Sequence, residues 1–383
     1  MKHSGSRHGP RHTIVCVFSI LALLTAAAPA RASGPSDLAR RVQRALDRVV
    51  AAGAPGATAV VRVGTRTIRL GSGRSNLAPV EPMRTDLPAR IGGITKSYTA
   101  TVVLQLVAEH RLRLDDTVEQ WLPGAIPTGA GISVRQLLNH TSGVFDYVKD
   151  PRTLAPYMEG DLTRIFNPAD GVRYAAEHEP LFAPGTALSY SNTNYLLLAM
   201  IVEAVTGRPI GTELRRRIFA PLGLAHTSYP TSSDIAGPYV HGYITDATPP
   251  VDITPLSPTL YAAAGAILSS ADDVARFYRA LLGGQLLPPR VLTQMRTIDP
   301  VATGGVPDAG ILGGGWGLGL LREEFPCGEA WGHDAEHLGY MAAAWTSRHS
   351  TRQVVVIVNS AFDHDAPVSA AMREVLITAY CGR

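Results

Sequence analysis

A lysine at the start of a predicted helix is the first residue that could do chemistry. In the stretch ARIGGITKSYTA, residues 89–100, small residues lead into a helix and Lys96 lies on its first turn. A serine three residues before such a lysine would share its face, so that the amine could take the hydroxyl proton during acyl transfer. That position is Gly93, which has no side chain. Because a lysine on a first turn is usually just solvated, this stretch alone does not establish an activity.

Tyr190 and Asn192 form a second pattern that suits proton transfer. They stand in PGTALSYSNTNYLLLAMIVEAVTG, residues 184–207, at the end of a loop and directly before a long apolar helix. A Y-x-N spacing can direct both side chains into one cleft, the phenol as a proton relay and the amide as a donor. Ordinary apolar packing is the alternative for a tyrosine at a helix start.

A third polar cluster opens a late strand in the sequence GHDAEHLGY. His333 and His337 with Asp334 and Glu336 have the residue types of a metal site. Successive side chains of a strand alternate between its faces, so the histidines and the acids should point apart. The glycine-rich run at 310–320 leads into a strand and lacks a lysine, unlike a phosphate-binding loop. We therefore expect no metal and no other cofactor.

The first 32 residues have the pattern of a secretory signal peptide. Basic residues precede an apolar run at 13–28, and Ala30 and Ala32 provide a small-x-small cleavage site. The apolar run is too short for a membrane span. We expect a secreted, extracytoplasmic protein that keeps no membrane span after cleavage.

The charge balance argues against nucleic acid as a partner. The formal net charge is +3, but four basic residues and no acids lie in the predicted leader, which leaves about −1 for the rest. With 45% hydrophobic and 17% charged residues, the composition is that of an ordinary globular protein. No basic face that could bind nucleic acid is therefore expected. We predict a monomer that acts on a small-molecule or peptide substrate.

The cysteines predict one disulfide. Of the three, Cys16 belongs to the predicted leader, which leaves Cys327 and Cys381 as an even pair in an oxidising compartment. Two buried free thiols are the alternative. No Cys/His spacing indicates a structural zinc site.

Hydrophobic patterning predicts strands at both ends of the chain and helices between them. A first amphipathic helix is followed by two strands, a helical pattern runs from Lys96 to about Gly223, and strand patterns return in the last third. This order predicts an α/β (α+β) fold with an antiparallel sheet flanked by helices. We assign the sheet domain to residues 33–95 and 255–383 and an all-helical subdomain to residues 96–254, with the active cleft between them.

In this order and on these elements, the segments resemble the penicillin-recognising serine hydrolases: class C β-lactamases and, more closely, secreted bacterial D-alanyl-D-alanine carboxypeptidases. The likeness runs through nearly the whole chain after the leader. Its motifs are RIGGITKSYTA, LDDTVEQWLPG, ISVRQLLNHTSGVFDY, PGTALSYSNTNYLLLAMIVEAVTG and AGAILSSADDVARFYRALLGGQLL. The resemblance implies a β-lactamase/DD-peptidase-like fold, and CGEAWGH with the terminal YCG matches the pattern of that family's C-terminal disulfide.

The resemblance implies catalytic roles for residues that this chain keeps and for one that it lacks. The family's general-base lysine, tyrosine and asparagine fall on Lys96, Tyr190 and Asn192. Its nucleophilic serine falls on Gly93, and loss of such a nucleophile lowers the rate by up to about a million-fold. His333 begins the third motif, which is commonly His-Thr-Gly or Lys-Thr-Gly and is His-Asp-Ala here.

Further positions that the resemblance implies for substrate contact depart from the family pattern. Ala335, next to Asp334, puts a methyl group where the family leaves room beside the substrate. The residue expected to supply the second backbone N–H of the oxyanion hole is Glu336. Leu321 falls where the carboxypeptidases hold the substrate carboxylate with an arginine. Leu260 falls where they have an aromatic wall. So many changes together indicate divergence rather than a serine DD-peptidase engineered at one position, and they disfavour a C-terminal D-alanine carboxylate.

Two functions remain open from the sequence. The first is an exported enzyme that uses Lys96 and Tyr190 for acid–base chemistry, such as hydrolysis, cyclisation or transfer, on a small amide, ester or peptide-like substrate. The second is a non-catalytic protein that binds peptide or cell-wall fragments. A pure binder has less use for a buried lysine beside a phenol, which favours the enzyme. Hydroxyls that could replace the serine are predicted to be structural instead: Ser97, Ser142 and Ser191.

Overall fold

The computed structural model describes residues 35–303, 314–360 and 367–382, and four separate positions among the first ten. The chain divides into two compact units, residues 1–33 and 34–383. Apart from those four positions, the predicted signal peptide with its Cys16 lies outside the described residues. The finer division of the second unit into a sheet domain and a helical subdomain stays a prediction.

The strands of the described residues are short at the centre of the chain and long at its two ends. In chain order they are β1 Gly56–Val63, β2 Arg66–Leu77, β3 Val80–Pro82, β4 Ala89–Arg90, β5 Thr227–Ser228, β6 Tyr243–Ile244, β7 Val251–Asp252, β8 Leu268–Ser269, β9 Gly314–Trp316, β10 Leu321–Phe325, β11 Gly328–His337, β12 Tyr340–Thr346 and β13 Arg352–Val358. The helices are α1 Pro35–Ala51, α2 Thr95–Ala108, α3 Val118–Trp121, α4 Val134–Leu138, α5 Pro151–Met158, α6 Pro168–Ala176, α7 Thr193–Thr206, α8 Ile210–Leu214, α9 Ala220–Leu222, α10 Ala271–Leu282, α11 Pro289–Met295 and α12 Pro367–Cys381.

Both ends of the second unit contribute to one large sheet. Its eight strands run in the order β3-β2-β1-β13-β12-β11-β10-β9, and each neighbouring pair is antiparallel. The pairing of β10 with β11 ends where Leu321 faces Gly332, whereas β12 continues beside β11 as far as His337. Among the described residues, the last part of β11 therefore has a strand neighbour on one edge only.

Strand alternation divides the core into two apolar clusters. In β13, Val354, Val356 and Val358 pack with α1 and α12 in one cluster, while Val355 and Ile357 pack with α2, α7 and α10 in the other. A run of β-branched residues that is buried on both faces suits a central strand. The predicted antiparallel sheet flanked by helices is confirmed.

The two cysteines predicted to pair form the disulfide Cys327–Cys381. It joins the turn between β10 and β11 to the last residue of α12. Within the described part of the chain, no helix is both long and apolar enough to cross a membrane.

Candidate active site

Gly92 and Gly93 carry the chain from the short strand β4 into α2. They begin a 3-10 turn that leads directly into the helix, so Lys96 lies on the first turn of α2 as predicted. Gly92 has φ of +47°, and a Cβ placed there would lie 3.0 Å from the carbonyl oxygen of Glu336. Glycine is required at that position because the turn is left-handed and lies directly against β11.

The Lys96 ammonium group is buried and held by two acceptors. Its side chain is 1% exposed. Nζ donates to Oδ1 of Asn192 at 2.9 Å and to the carbonyl oxygen of Ala264 at 2.9 Å. Burial lowers the pKa of Lys96 to about 7, although the nearby charge of Asp146 opposes the shift. A substantial fraction of this amine is therefore neutral at physiological pH and can accept a proton.

Tyr190 and Asn192 lie beside Lys96, as predicted from their spacing before α7. Nζ of Lys96 lies 4.7 Å from the centre of the Tyr190 ring, and the Tyr190 hydroxyl donates to Oδ1 of Asn192 at 3.3 Å. The Tyr190 ring stacks on His140 at 4.7 Å between centres. Burial raises the pKa of Tyr190 well above its ordinary value, so the group is a neutral phenol rather than a phenolate.

Asp146 is a site residue that the sequence analysis missed. It lines the same cavity as Lys96, and its two carboxylate oxygens accept from the backbone N–H and the side-chain amide of Asn192 at 3.1 and 3.0 Å. Asp146 lies in the motif HTSGVFDY that carried part of the family resemblance. An acid in that motif was the available indication, but contact with Asn192 spans 46 residues of sequence.

His333 is a buried, neutral imidazole with one unpartnered nitrogen. The side chain is 2% exposed, and its Nδ1 contacts the carbonyl oxygen of Asp334. Burial, with the nearby Lys96, lowers the pKa of His333 to about 3. Because a carbonyl oxygen can only accept, the single ring hydrogen lies on Nδ1. Nε2 then carries a lone pair, and it is buried without a protein partner.

The open edge of β11 faces the turn that contains Gly92 and Gly93. The carbonyl oxygens of Asp334 and Glu336 lie next to Gly93 and Gly92 respectively. In an antiparallel ladder the N–H and C=O of one residue point to the same edge. The backbone N–H of Glu336 therefore lies on the edge that faces the start of α2, while its exposed carboxylate lies on the face opposite to His333.

A cavity of about 390 Å³ joins most of the predicted residues. It is lined by the predicted residues Gly93, Lys96, Tyr190, Asn192, His333, Asp334 and Glu336. Leu260 and Leu321 do not line it. The side chain of Leu260 is buried in the apolar cluster of α2, α7 and α10. The next residue, Tyr261, is the aromatic residue that lines the cavity here. Leu321 points into the cluster of α1 and α12, on the other face of the sheet. The assignment of substrate contacts to these two leucines is thus corrected by the geometry.

Comparisons with known sequences and structures show which family this chain belongs to. The family described as Beta-lactamase matches residues 38–379. The chain belongs to the beta-lactamase family. Penicillin-binding protein 4 of Amycolatopsis lactamdurans is 32% identical over 73% of this chain and 74% of its own length.

Two solved structures are similar to this beta-lactamase family member over nearly their whole length. A D-stereospecific amidohydrolase from Streptomyces sp. has a TM-score of 0.80 and 37% identity, covering 90% of this chain and 99% of that one. A D-amino acid amidase from Ochrobactrum anthropi SV3, complexed with L-phenylalanine, has a TM-score of 0.78 and 28% identity, with coverage of 90% and 99%. These similarities support a hydrolase-like function.

The hydroxyls considered as replacement nucleophiles are all occupied elsewhere in this family member. Ser97 donates to the carbonyl oxygen of Gly319 at 2.8 Å, and Ser142 donates to Oδ1 of Asn194 at 2.7 Å. Ser191 donates to the carbonyl oxygen of Phe145 at 3.3 Å. Their side chains do not line the cavity. Within the described residues, no group of three or more His, Cys, Asp or Glu side chains is placed to hold a metal ion.

Lysine is rare in this chain and concentrated at the site. Only three of its 35 basic residues are lysines, namely Lys2, Lys96 and Lys149. Lys149 is exposed and lines the same cavity as the buried Lys96. The cavity therefore has one buried lysine, Lys96, and one exposed lysine, Lys149. Substitutions of Lys149 provide a matched control for experiments on Lys96.

Proposed function

We propose that this protein is an extracytoplasmic hydrolase of small amides or esters that works without an acyl-serine. One observation carries the proposal: Lys96 and Tyr190 share the acceptor Asn192 at a cavity where residue 93 offers no hydroxyl. In this proposal Lys96 and Tyr190 serve as the acid–base pair that a serine hydrolase would use, and a water molecule in the cavity replaces the missing hydroxyl.

In this proposal Lys96 is the general base. As a neutral amine it has two hydrogens, which match its two acceptors, Asn192 and the carbonyl of Ala264. Its lone pair is then left for a partner in the cavity. A water beside Gly93 would give its proton to Nζ as its oxygen attacks the substrate carbonyl, which is the usual function of a positioned base.

Two groups would complete the reaction. The backbone N–H of Gly93 lies at the start of a helix, where amide hydrogens have no partner within the helix, and the N–H of Glu336 is on the facing strand edge. Such donors stabilise the negative charge that develops on a carbonyl oxygen. Tyr190 is a neutral phenol and would protonate the leaving amine or alkoxide, taking a proton in turn from the Lys96 ammonium.

For the substrate we propose amides or esters of D-amino acids. Support comes from the similar structures, a D-stereospecific amidohydrolase and a D-amino acid amidase, which match this chain over 90% of its length. The cavity of about 390 Å³ is large enough for a single amino acid derivative.

Matched pairs of chromogenic substrates test this proposal. The wild-type protein is assayed with the p-nitroanilides and p-nitrophenyl esters of D- and L-alanine and D- and L-phenylalanine. We expect turnover that prefers the D-forms, that disappears in Lys96→Ala and that persists in Lys149→Ala. Equal rates in Lys96→Ala and wild type would contradict the assignment of Lys96 as the base.

Gly93 itself favours a second candidate function, a protein that binds amino acid or peptide fragments without turnover. A site without a nucleophile can retain the donors and the shape that recognise a ligand. Calorimetry with D-alanine, D-phenylalanine and the D-Ala-D-Ala dipeptide separates the two functions. Tight binding together with no turnover of any ester or anilide would support the binding protein.

A further inference from the structure

The orientation of the Asn192 amide decides what Lys96 contacts. Oδ1 of Asn192 accepts from Nζ of Lys96 at 2.9 Å and from the Tyr190 hydroxyl at 3.3 Å. If the amide were turned over, its NH₂ group would face Nζ and the Tyr190 hydroxyl, and neither group could donate to it any longer. A group that accepts from the amide nitrogen would hold the amide in its present orientation.

Asp146 is placed to do so. Its side chain is 5% exposed, and its Oδ2 accepts from Nδ2 of Asn192 at 3.0 Å. Its Oδ1 accepts from the backbone N–H of Asn192 at 3.1 Å and from that of Val148 at 3.3 Å. Burial raises the pKa of Asp146 above its ordinary value, while the three N–H groups that it accepts and the nearby Lys96 favour its ionised form. An ionised carboxylate cannot donate. Only the NH₂ side of the amide can face it.

The loop that carries Asp146 is held against the start of α7 at three successive residues. Ser142 donates to Oδ1 of Asn194 at 2.7 Å, and the backbone N–H of Tyr147 donates to Oγ1 of Thr193 at 3.0 Å. Together with the contacts to Asn192, these bonds fix the carboxylate relative to the helix start. The position of Asp146 is therefore set by the fold and does not depend on a ligand.

We propose that Asp146 is a positioning residue, which holds the side-chain oxygen of Asn192 toward Lys96. It acts on the base through Asn192, because Nζ itself donates to Asn192 and Ala264. The positioning part of this inference stands on contacts alone, while its effect on turnover rests on the proposed function.

Asp146 also affects Lys96 through its charge. Among the groups that surround the amine, it is the one whose charge raises the pKa of Lys96, against the larger effect of burial. The other titratable groups near Nζ are His140, His333, Tyr190 and Tyr195. Burial and nearby Lys96 keep both histidines neutral, and burial keeps both tyrosines neutral. Removal of the Asp146 charge should therefore lower the pKa of Lys96 further.

The three lysines of the chain make this directly measurable. In the full chain labelled with ¹³C at lysine Cε, NMR titration gives one curve for each lysine, and Lys149→Arg assigns the exposed one. We expect Lys96 to titrate near 7 in the wild type and about one unit lower in Asp146→Asn. Turnover in that variant should fall about tenfold. The acidic limb of its pH–rate profile should move to lower pH.

Asp150→Asn is the matched control. Asp150 is a buried capping carboxylate of the same loop, but it contacts Arg152 and His178 rather than Asn192. Its replacement by asparagine should lower the melting temperature of the protein but should not change the pKa of Lys96. An unchanged Lys96 curve in Asp146→Asn, or an equal shift in Asp150→Asn, would overturn the inference.

A residue swap keeps the test open if Asp146→Asn does not fold. In the double variant Asp146→Asn with Asn192→Asp, the amide at 146 can donate to the carboxylate at 192, which still accepts from Lys96. We expect the swap to fold better than either single variant and Lys96 to titrate higher than in wild type, since the negative charge moves closer. A swap no more stable than the singles would contradict the pairing. If the titrations behave as expected but Lys96→Ala retains turnover, the positioning stands and the proposed function fails.

Discussion

The imidazole of His333 lies directly beside Gly93, in tight contact with the position that a Cβ atom would take. A Cβ at residue 93 would be 3.3 Å from Cε1 of His333 and 3.3 Å from the carbonyl oxygen of Asp334. Both distances are shorter than ordinary contacts of a Cβ atom, so each of these two neighbours would have to move by a few tenths of an ångström. A side chain at residue 93 would therefore fit only after a small shift of β11 and of the His333 ring.

Restoring a serine at residue 93 should create a slow acylation site at a small loss of stability. Gly93→Ser places a hydroxyl near the partly neutral Lys96 amine, and crowding against His333 should lower the free energy of unfolding by about 1 kcal/mol. We expect mass spectrometry to find a covalent adduct with a β-lactam in Gly93→Ser only. Gly93→Ala introduces the same crowding without the hydroxyl and is the control. An adduct in wild type or in Gly93→Ala would show that another residue is the nucleophile.

Turnover should rise with pH through about 7. Burial lowers the pKa of Lys96 to about 7, and only the neutral amine can accept the proton of an attacking water. His333, whose pKa is lowered to about 3, stays neutral over this range and does not contribute. The measurement is the pH dependence of kcat/KM with a D-amino acid ester. A rate that falls as pH rises through 7 would mean that the ammonium form is the active one.

Replacing Lys96 by methionine should stabilise the fold at neutral pH. The pKa of Lys96 falls from 10.5 to about 7 on folding, so between these values the unfolded chain binds more protons than the folded one. The free energy of unfolding therefore rises with pH across that window, and the buried lysine is most destabilising below it. We expect Lys96→Met to gain about 2–4 kcal/mol in urea unfolding near pH 7 and to lose this pH dependence. Lys149→Met, at the exposed site, should change neither quantity.

Local sequence patterns were sufficient to predict where on the helices and strands several site residues lie. The positions of Lys96 and of the pair Tyr190 and Asn192 followed from spacing at two helix starts, and apolar runs in the last third of the chain indicated strands. The effect of the fold on their ionisation could not be predicted in the same way. The spacing predicts a tyrosine that relays protons but not its charge, and burial raises the pKa of Tyr190 so that it is a neutral phenol.

Contacts that depend on distant segments or on single-residue offsets were not predictable. Asp146 reaches Asn192 across 46 residues, which no local spacing indicates. Leu260 ends a 3-10 turn and Tyr261 directly follows it, and only the structure shows which of the two faces the cavity. Leu321 faces α12, and no residue of β10 is among those that line the cavity. The face of a strand residue depends on its register, which a local motif does not fix.

Glu213 is a buried carboxylate that should contribute strongly to stability. Burial acts to raise its pKa, but hydrogen bonds from Arg216 and Arg217 outweigh burial and lower it to about 2. A carboxylate whose pKa falls on folding stabilises above its unfolded value of 4.5, and this contribution is lost as pH falls toward 2. We expect Glu213→Gln to lower the free energy of unfolding by about 2–3 kcal/mol at neutral pH and to reduce the loss of stability in acid.

The control for Glu213 is an exposed ion pair. Glu374 pairs with Arg48 at 2.6 Å, with both side chains about half exposed. Exposed pairs contribute about 0–1 kcal/mol, so Glu374→Gln should have little effect in the same urea titrations. Similar losses in both variants would show that the burial of Glu213 does not matter.

Lys96 and Tyr190 should behave as one catalytic unit. Both donate to the same oxygen of Asn192, at 2.9 and 3.3 Å, and the proposed mechanism passes one proton between them. Lys96→Ala and Tyr190→Phe should each lower kcat about 100-fold, which is the scale for a positioned acid or base. The double variant should be little slower than either single one, because a proton relay fails when either member is missing. Lys149→Ala removes an exposed lysine of the same cavity and serves as the control, with an expected loss in kcat far below 100-fold. If the two losses multiply in the double variant, Lys96 and Tyr190 act in separate steps and the relay between them is wrong.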